Sequence, residues 1–287
     1  VIALINDAHQ NGHWTTTGND KEDRVQKKIR IASILFLLLM IHSSCNDGRT
    51  VTDAGSGQAV LRILLTDATA DYDSVVIRFS QISAHLDSTW LTITGNTQTV
   101  DLLEWSNGRT LVMGSADVPA GYYSQIRLKI DDAYIGYKGK VFPMDVPSGA
   151  RTGLKFGPGF TVAEGSVYEL VFDFDASRSV VTNGPPSEPK GFKLKPHIRL
   201  TTTAVSGSIT GSVTPPDSLP EAYAIQNGDT ISTAFIEPAN GFFRLSFLPS
   251  GSYMVSIEDT SGNHFNQTGV EVTAGVETKL GDITLTK

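Results

Sequence analysis

Cysteine is nearly missing from this chain: 287 residues hold one, Cys45. A disulfide scaffold and a cysteine-rich zinc motif are therefore excluded. Histidine is scarce as well. After Cys45 there are only His85, His197 and His264, none spaced as a metal pair and none in a His-Glu-x-x-His pattern. Each reads as an ordinary surface or edge histidine. There is no Gly-x-Ser-x-Gly elbow, no Ser-x-x-Lys with its companion motifs and no phosphate-cradling glycine loop; the run Gly157 to Phe160 is turn chemistry. No catalytic residue, cofactor or resident metal is expected from this inventory, and the chain is read as no enzyme. Basic charge is also in short supply, with 23 Lys and Arg against 30 Asp and Glu. Nucleic acid is a poor partner for such a chain. The longest apolar run, Ile31 to Ile41, has eleven residues. At about 1.5 Å per residue it falls short of a bilayer core of about 30 Å.

The surroundings of that run give it a different meaning. Lys27, Lys28 and Arg30 precede it, and Ser43, Ser44 and Cys45 follow it. Basic, apolar, small is the order of a secretory signal peptide. With a cysteine directly after the small residues, segment 25–45 resembles a bacterial lipoprotein signal. The resemblance implies that the Cys45 thiol is acylated and that the protein sits in the cell envelope, partnered with a membrane through an N-terminal lipid. His42 stands where an aliphatic residue is usual, with Ile41 beside it. Asn46, not Asp, follows the cysteine, which implies the outer membrane. Residues 1–24 are polar and precede the basic region, and there is no Met before Met40. Translation is therefore expected to start at Val25, with 1–24 as mis-assigned upstream residues. Residues 46–57 are small and polar and read as a flexible tether.

From Gln58 onward the apolar period is two. In "YSQIRLKID" Ile126, Leu128 and Ile130 alternate with Gln125, Arg127, Lys129 and Asp131. In "VYELVFDFD" Tyr168, Leu170, Phe172 and Phe174 oppose Glu169, Asp173 and Asp175. In "GFKLKPHIRL" Phe192, Leu194, Ile198 and Leu200 oppose Lys193, Lys195, His197 and Arg199. Such alternation suits a sheet with one buried face. Turn residues punctuate the runs at Pro119-Ala120-Gly121, Pro215-Pro216 and Pro249-Ser250-Gly251, and Asn240-Gly241 predicts a two-residue type I′ hairpin. The fold class is all-β, with two β-sandwich domains in series, 58–203 and 204–287. Charge divides unevenly between them: 14 basic and 15 acidic residues in the first, 3 and 9 in the second.

The first domain resembles the family DUF4382. The residues that carry the likeness are "LTDATA" (65–70), "VDLLEW" (100–105), "VPAGYYSQIRLKI" (118–130), "TGLKF" (152–156), "FDFDASRSVV" (172–181) and "FKLKPHIRL" (192–200). That family carries no accepted activity, and its members are commonly exported lipoproteins. The second domain resembles the carboxypeptidase-regulatory-like, or prealbumin-like, sandwiches, through "GSITGSV", "GFFRLSFLPSGSYMVSI" and "GVEVTAGVETKLGDITL". This implies seven strands and a carbohydrate-binding-like fold, which is not the same as carbohydrate binding.

Two candidate sites emerge. Asp173 and Asp175, at i and i+2, share a strand face with Glu169, and could form a calcium or ligand face. Against this, Lys193, Lys195 and Arg199 form a matching basic stripe, and cross-strand ion pairs are the favoured reading. Trp90 and Trp105 are candidate platforms for sugar rings, although Trp90 continues the apolar alternation Ile82, Ala84, Leu86 and Trp105 follows Leu102 and Leu103, which favours a core or domain seam. The expected role is a non-enzymatic binding or structural module of the envelope, with a glycan or another envelope protein as partner. Carbohydrate binding is the alternative, and an active site assembled only in three dimensions the second alternative.

Overall fold

The computed structural model describes residues 57–68, 70–185, 189–214 and 220–287. Cys45, the signal segment 25–45, residues 1–24 and the tether as far as residue 56 lie outside the described residues. The fold is all-β, as the period of two predicts.

The first part contains β1 (Gln58–Ala68), β2 (Ser74–Leu86), β3 (Thr89–Thr94), β4 (Gln98–Asp101), β5 (Leu111–Pro119), β6 (Gly121–Tyr137), β7 (Lys140–Asp145), β8 (Leu154–Phe156), β9 (Phe160–Val162), β10 (Val167–Asp175), β11 (Val180–Asn183), β12 (Gly191–Leu194) and β13 (Ile198–Thr202). Four of them form one sheet in the order β13-β10-β1-β5. The others form a nine-stranded sheet along β11-β12-β7-β6-β2-β3, with β4 beside β2, and β8 and β9 beside β6. Ile126, Leu128 and Ile130 from one sheet meet Leu170, Phe172 and Phe174 from the other in a single core, with Leu61, Ile63 and Leu65 of β1.

The second part contains β14 (Ser206–Thr214), β15 (Glu221–Gln226), β16 (Asp229–Phe235), β17 (Phe242–Pro249), β18 (Gly251–Glu258), β19 (His264–Val272) and β20 (Glu277–Thr284). They make two sheets, β17-β14-β20 and β16-β15-β18-β19. Ile209, Phe243, Leu245, Tyr253, Val255 and Ile257 fill a second, separate core between them.

The smaller sandwich is repeated inside the larger. β14 pairs antiparallel with β17 and parallel with β20; β1 pairs antiparallel with β5 and parallel with β10. The order β19-β18-β15-β16 matches β7-β6-β2-β3, all antiparallel. Each also turns from one sheet to the other through the same corner. At Pro119-Ala120-Gly121 and at Pro249-Ser250-Gly251 the chain crosses over, and a tyrosine two residues after the glycine reaches back. Tyr123 Oη donates to the Pro119 carbonyl at 2.7 Å, and Tyr253 Oη to the Pro249 carbonyl at 2.8 Å. Both rings are buried, so each phenol needs such a partner.

Two sequence expectations are corrected. "GFKLKPHIRL" is not one strand: β12 belongs to the nine-stranded sheet and β13 to the four-stranded one, and residues 195–197 cross between them. Pro196 has no N–H to give a ladder, so the strand ends there despite its alternation. Asn240-Gly241 is not a two-residue hairpin. Glu237 O accepts the Gly241 N–H at 2.8 Å, and the turn carries the chain from β16 to β17, in different sheets. Gly241 has φ +73°, and a Cβ there would lie 2.1 Å from Val213 O, so glycine is required by both conformation and space. Two-residue hairpins with both residues at positive φ are found at Lys138-Gly139, between β6 and β7, and at Asn227-Gly228, between β15 and β16.

Candidate functional site

The parallel pairing of β1 with β10 sets the acidic row. Arg62 stands opposite Glu169, Leu64 opposite Val171 and Thr66 opposite Asp173, all on the face of the four-stranded sheet away from its core. The middle of this face is not solvated. Leu64 is 6% exposed, Val171 is fully buried, and neither belongs to the first core. The second sandwich lies over them: β16 approaches β1, and Arg199, opposite Asp173 on β13, donates to the Phe247 carbonyl of β17 at 2.6 Å. Phe247 holds φ +55°, a conformation a bulky side chain rarely adopts.

Each of the three predicted carboxylates has its own protein partner here. Glu169 pairs with Arg62 at 2.8 Å and accepts from Thr203 Oγ1. Asp173 pairs with Arg199. Asp175 accepts from Ser177 Oγ at 2.6 Å and from the Arg178 N–H at 2.9 Å, capping the short helix Ala176–Ser179. The three are therefore spread along a seam instead of converging on one point. The ion-pair expectation needs one change: only Arg199 lies on the neighbouring strand, whereas Lys193 is on β12, opposite Val181 and Asp145 in the other sheet. Burial pushes the Asp173 carboxyl up to about 6, against the pull of the Arg199 charge.

Sequence reasoning passed over Asp67. It continues the inward row Leu61, Ile63, Leu65, and its Oδ1 accepts the Ala176 N–H at 3.0 Å while its Oδ2 has no partner among the described residues. Burial raises its carboxyl well above the ordinary range. Thr66 pairs with Asp173 and Asp67 with Phe174, so the two buried carboxylates point to opposite faces of the sheet. They do not face one substrate as an acid–base pair.

The tryptophans separate. Trp105 is half-buried and packs on the first core, as its leucine neighbours suggest. Trp90 does not continue the apolar row. It pairs with His85, whose neighbours in β2, Ala84 and Leu86, point the other way, and so it lies on the outer face of the nine-stranded sheet. The two-residue turn Asp87-Ser88 sets this register: Leu86 stands opposite Thr89, so an even-numbered residue of β2 faces an odd-numbered one of β3, and a count of alternation through the turn puts Trp90 on the wrong face.

A groove of about 570 Å³ lies at one end of the seam. The β1–β2 connection supplies Asp71, Tyr72 and Asp73, the segment before β5 supplies Asn107 and Arg109, and the β16–β17 turn supplies Ile236 and Glu237. Phe235 and Glu221 complete the wall. The segment before β5 and the β16–β17 turn are topologically equivalent, so the same end of each scaffold meets at the groove. Asn107 crosses the seam: its Nδ2 donates to the Phe235 carbonyl at 3.3 Å, and its Oδ1 is buried without a partner among the described residues. No short motif marks Tyr72, Asn107 or Phe235, because the groove exists only once the two loop sets are apposed.

Fold and groove together define a two-sandwich, all-β protein whose concavity is built from connecting loops. Residues 58–196 match the family described as "Domain of unknown function (DUF4382)", which meets the expected resemblance up to the start of β13. No curated protein matches the chain. Among solved structures it is similar to the Bacillus anthracis TIE protein, at 11% identity and TM-score 0.22, covering 80% of this chain and 35% of that one. It is similar also to BcpA, the major pilin subunit of Bacillus cereus, at 10% identity and TM-score 0.18, covering 80% and 70%. A fimbrial protein from Bacteroides ovatus ATCC 8483 aligns at 11% identity and TM-score 0.20, covering 81% and 51%. Likenesses at such TM-scores carry no argument about what this chain does.

Proposed function

We propose that this is an exported, lipid-anchored protein of the cell envelope that acts as a non-enzymatic binding module, and that it holds its ligand in the seam groove. The groove carries the reading. Its volume, about 570 Å³, lies within the roughly 300–1,000 Å³ of small-molecule sites. Its lining mixes aromatic surface, Tyr72 and Phe235, with polar groups, and the Asn107 Oδ1 offers an unused acceptor. Two of its carboxylates are already engaged, Asp73 by the Gly139 N–H at 2.7 Å and Glu221 by the Tyr223 hydroxyl, which favours a structural over an acid–base role for them. The lipid anchor rests on Cys45 and the order of residues around it, and Asn46 favours the outer membrane. We assign 58–203 to the DUF4382-like sandwich and 204–287 to a carboxypeptidase-regulatory-like one, whose seven strands in sheets of three and four suit that resemblance.

Tyr72 and Phe235 support the second reading, carbohydrate binding, since aromatic faces suit the apolar faces of pyranose rings. Calorimetric titration of the purified protein with malto- and xylo-oligosaccharides, beside Tyr72→Ala and Asn107→Ala, tests it. Saturable heat that both variants weaken supports a sugar in the groove. Heat that neither variant alters places any binding elsewhere. For the anchor, Cys45→Ala is expected to move the protein from the membrane to the soluble fraction.

A further inference from the structure

We propose that the outer face of the nine-stranded sheet carries a second site, for the carboxylate of an acidic saccharide, made by Trp90, Arg127 and Lys155. Four neighbouring strands bring the residues together. Trp90 of β3 stands opposite His85 of β2, Ser83 of β2 opposite Arg127 of β6, and Arg127 opposite Lys155 of β8. The guanidinium carbon of Arg127 lies 4.4 Å from the indole centroid and the Lys155 ammonium 5.7 Å from it. The His85 ring closes the patch at 4.9 Å from the indole, and its Nδ1 is in a 2.7 Å hydrogen bond with Ser124 Oγ.

The patch is ordered by its own contacts. Ser83 points away from the core, between the inward-facing Ile82 and Ala84, yet is only 1% exposed. The side chain of Arg127, opposite it on β6, lies over it. Arg127 Nε donates to Ser83 Oγ at 3.1 Å, its one hydrogen bond among the described residues, so the fork is anchored at its base and its terminal nitrogens remain available.

Its charge is unbalanced. Among the described residues neither Arg127 nor Lys155 is in an ion pair, although Arg62, Arg78, Lys129, Arg178, Arg199, Arg244 and Lys279 all are. Two like charges directly opposite on paired strands repel. The indole offsets this in part through cation–π attraction, which leaves both cations without an anion. A carboxylate placed between them relieves the repulsion and matches the planar fork in two-point fashion. The indole beside it offers apolar surface to a ring. One charge adjoining an apolar ring face describes a uronic-acid residue. An extended polyanion fits less well, because the cations form one cluster and the chain as a whole carries net charge −7.

The site is independent of the seam groove, and its test keeps the two apart. The purified protein is titrated with trigalacturonate while indole emission is followed, with a neutral trisaccharide and inorganic sulfate as controls. Trigalacturonate is expected to shift the emission saturably and the neutral sugar to leave it unchanged. Lys155→Gln and Arg127→Gln should each weaken binding about tenfold or more, as loss of a charged hydrogen bond does. Lys155 is exposed, so its variant tests the site even if Arg127→Gln unfolds the sheet. The groove variant Asn107→Ala should bind trigalacturonate as the wild type does. No response, an equal response to the neutral sugar or to sulfate, or unchanged affinity in a folded Lys155→Gln protein each overturns the proposal.

Discussion

The two sandwiches share seven strands, their pairing and their tyrosine corner, but only one of them is decorated. The first adds β4, β8, β9, β11, β12 and β13 to the common scaffold. The features with chemical consequences sit on or beside these additions. Arg199, which ties the seam, is on β13; Lys155 is on β8; Asn107 and Arg109 lie between β4 and β5. The shared strands supply a rigid frame whose core residues are spoken for, and the additions are free to carry charge and to reach outward. The second sandwich, with short turns such as Asn227-Gly228, contributes mainly a surface to dock against.

The sharpest way to break the comparison is to separate its halves. Residues 58–203 expressed alone lose the cover over Leu64 and Val171. At about 1.5–3 kcal/mol for each large apolar side chain, this sandwich should be less stable alone than in the full chain by roughly 3 kcal/mol or more. Urea unfolding of both proteins checks it, and equal stability would mean that the seam is a weak contact.

Asp173→Asn comes next. Its amide still offers Arg199 an acceptor but carries no charge, and because burial raises this acid more than Arg199 lowers it, the variant should be at least as stable as the wild type above about pH 6. The wild-type group also carries a pH signature. Its folded pKa of about 6 lies above its unfolded value, so its contribution is fully present below about pH 4 and is lost as pH rises through about 6. Asp67, raised in the same direction by burial, acts with the same sign. Stability profiles over this range should be flatter in Asp173→Asn and in Asp67→Asn than in the wild type.

The corners sharpen the comparison. Tyr123→Phe and Tyr253→Phe each remove one hydroxyl from a proline carbonyl, at a cost of about 1 kcal/mol. Equal losses in denaturant melts would show that the corners are energetically equivalent; a large inequality would reduce their likeness to geometry. The smallest effect belongs to Glu169→Gln, whose partly exposed pair with Arg62 should contribute about 0.2–1 kcal/mol and lose that contribution in high salt.

The sequence by itself determined the class of the protein and the inner faces of its sheets. Alternation with period two is a local property, and the rows of β6 and β10 follow from it directly, because a pleated strand sends successive side chains to opposite faces. The order of charged, apolar and small residues before Cys45 is likewise local, and gives an expected destination without any structure. What alternation cannot say is which sheet a strand joins. Pro196 splits one alternating run between two sheets, and the two-residue turn Asp87-Ser88 puts Trp90 on the face opposite to Leu86. Nor can it say what lies over an outward face. Asp173 and Glu169 occupy the same polar row of one strand, yet Asp173 is buried against Arg199 while Glu169 stays partly exposed, and only the docking of the second sandwich separates them. The groove and the Trp90 patch depend on residues far apart in the chain. Their chemistry is set by apposition, which the tertiary structure alone decides, because burial and charge balance belong to neighbours in space and not to neighbours in sequence.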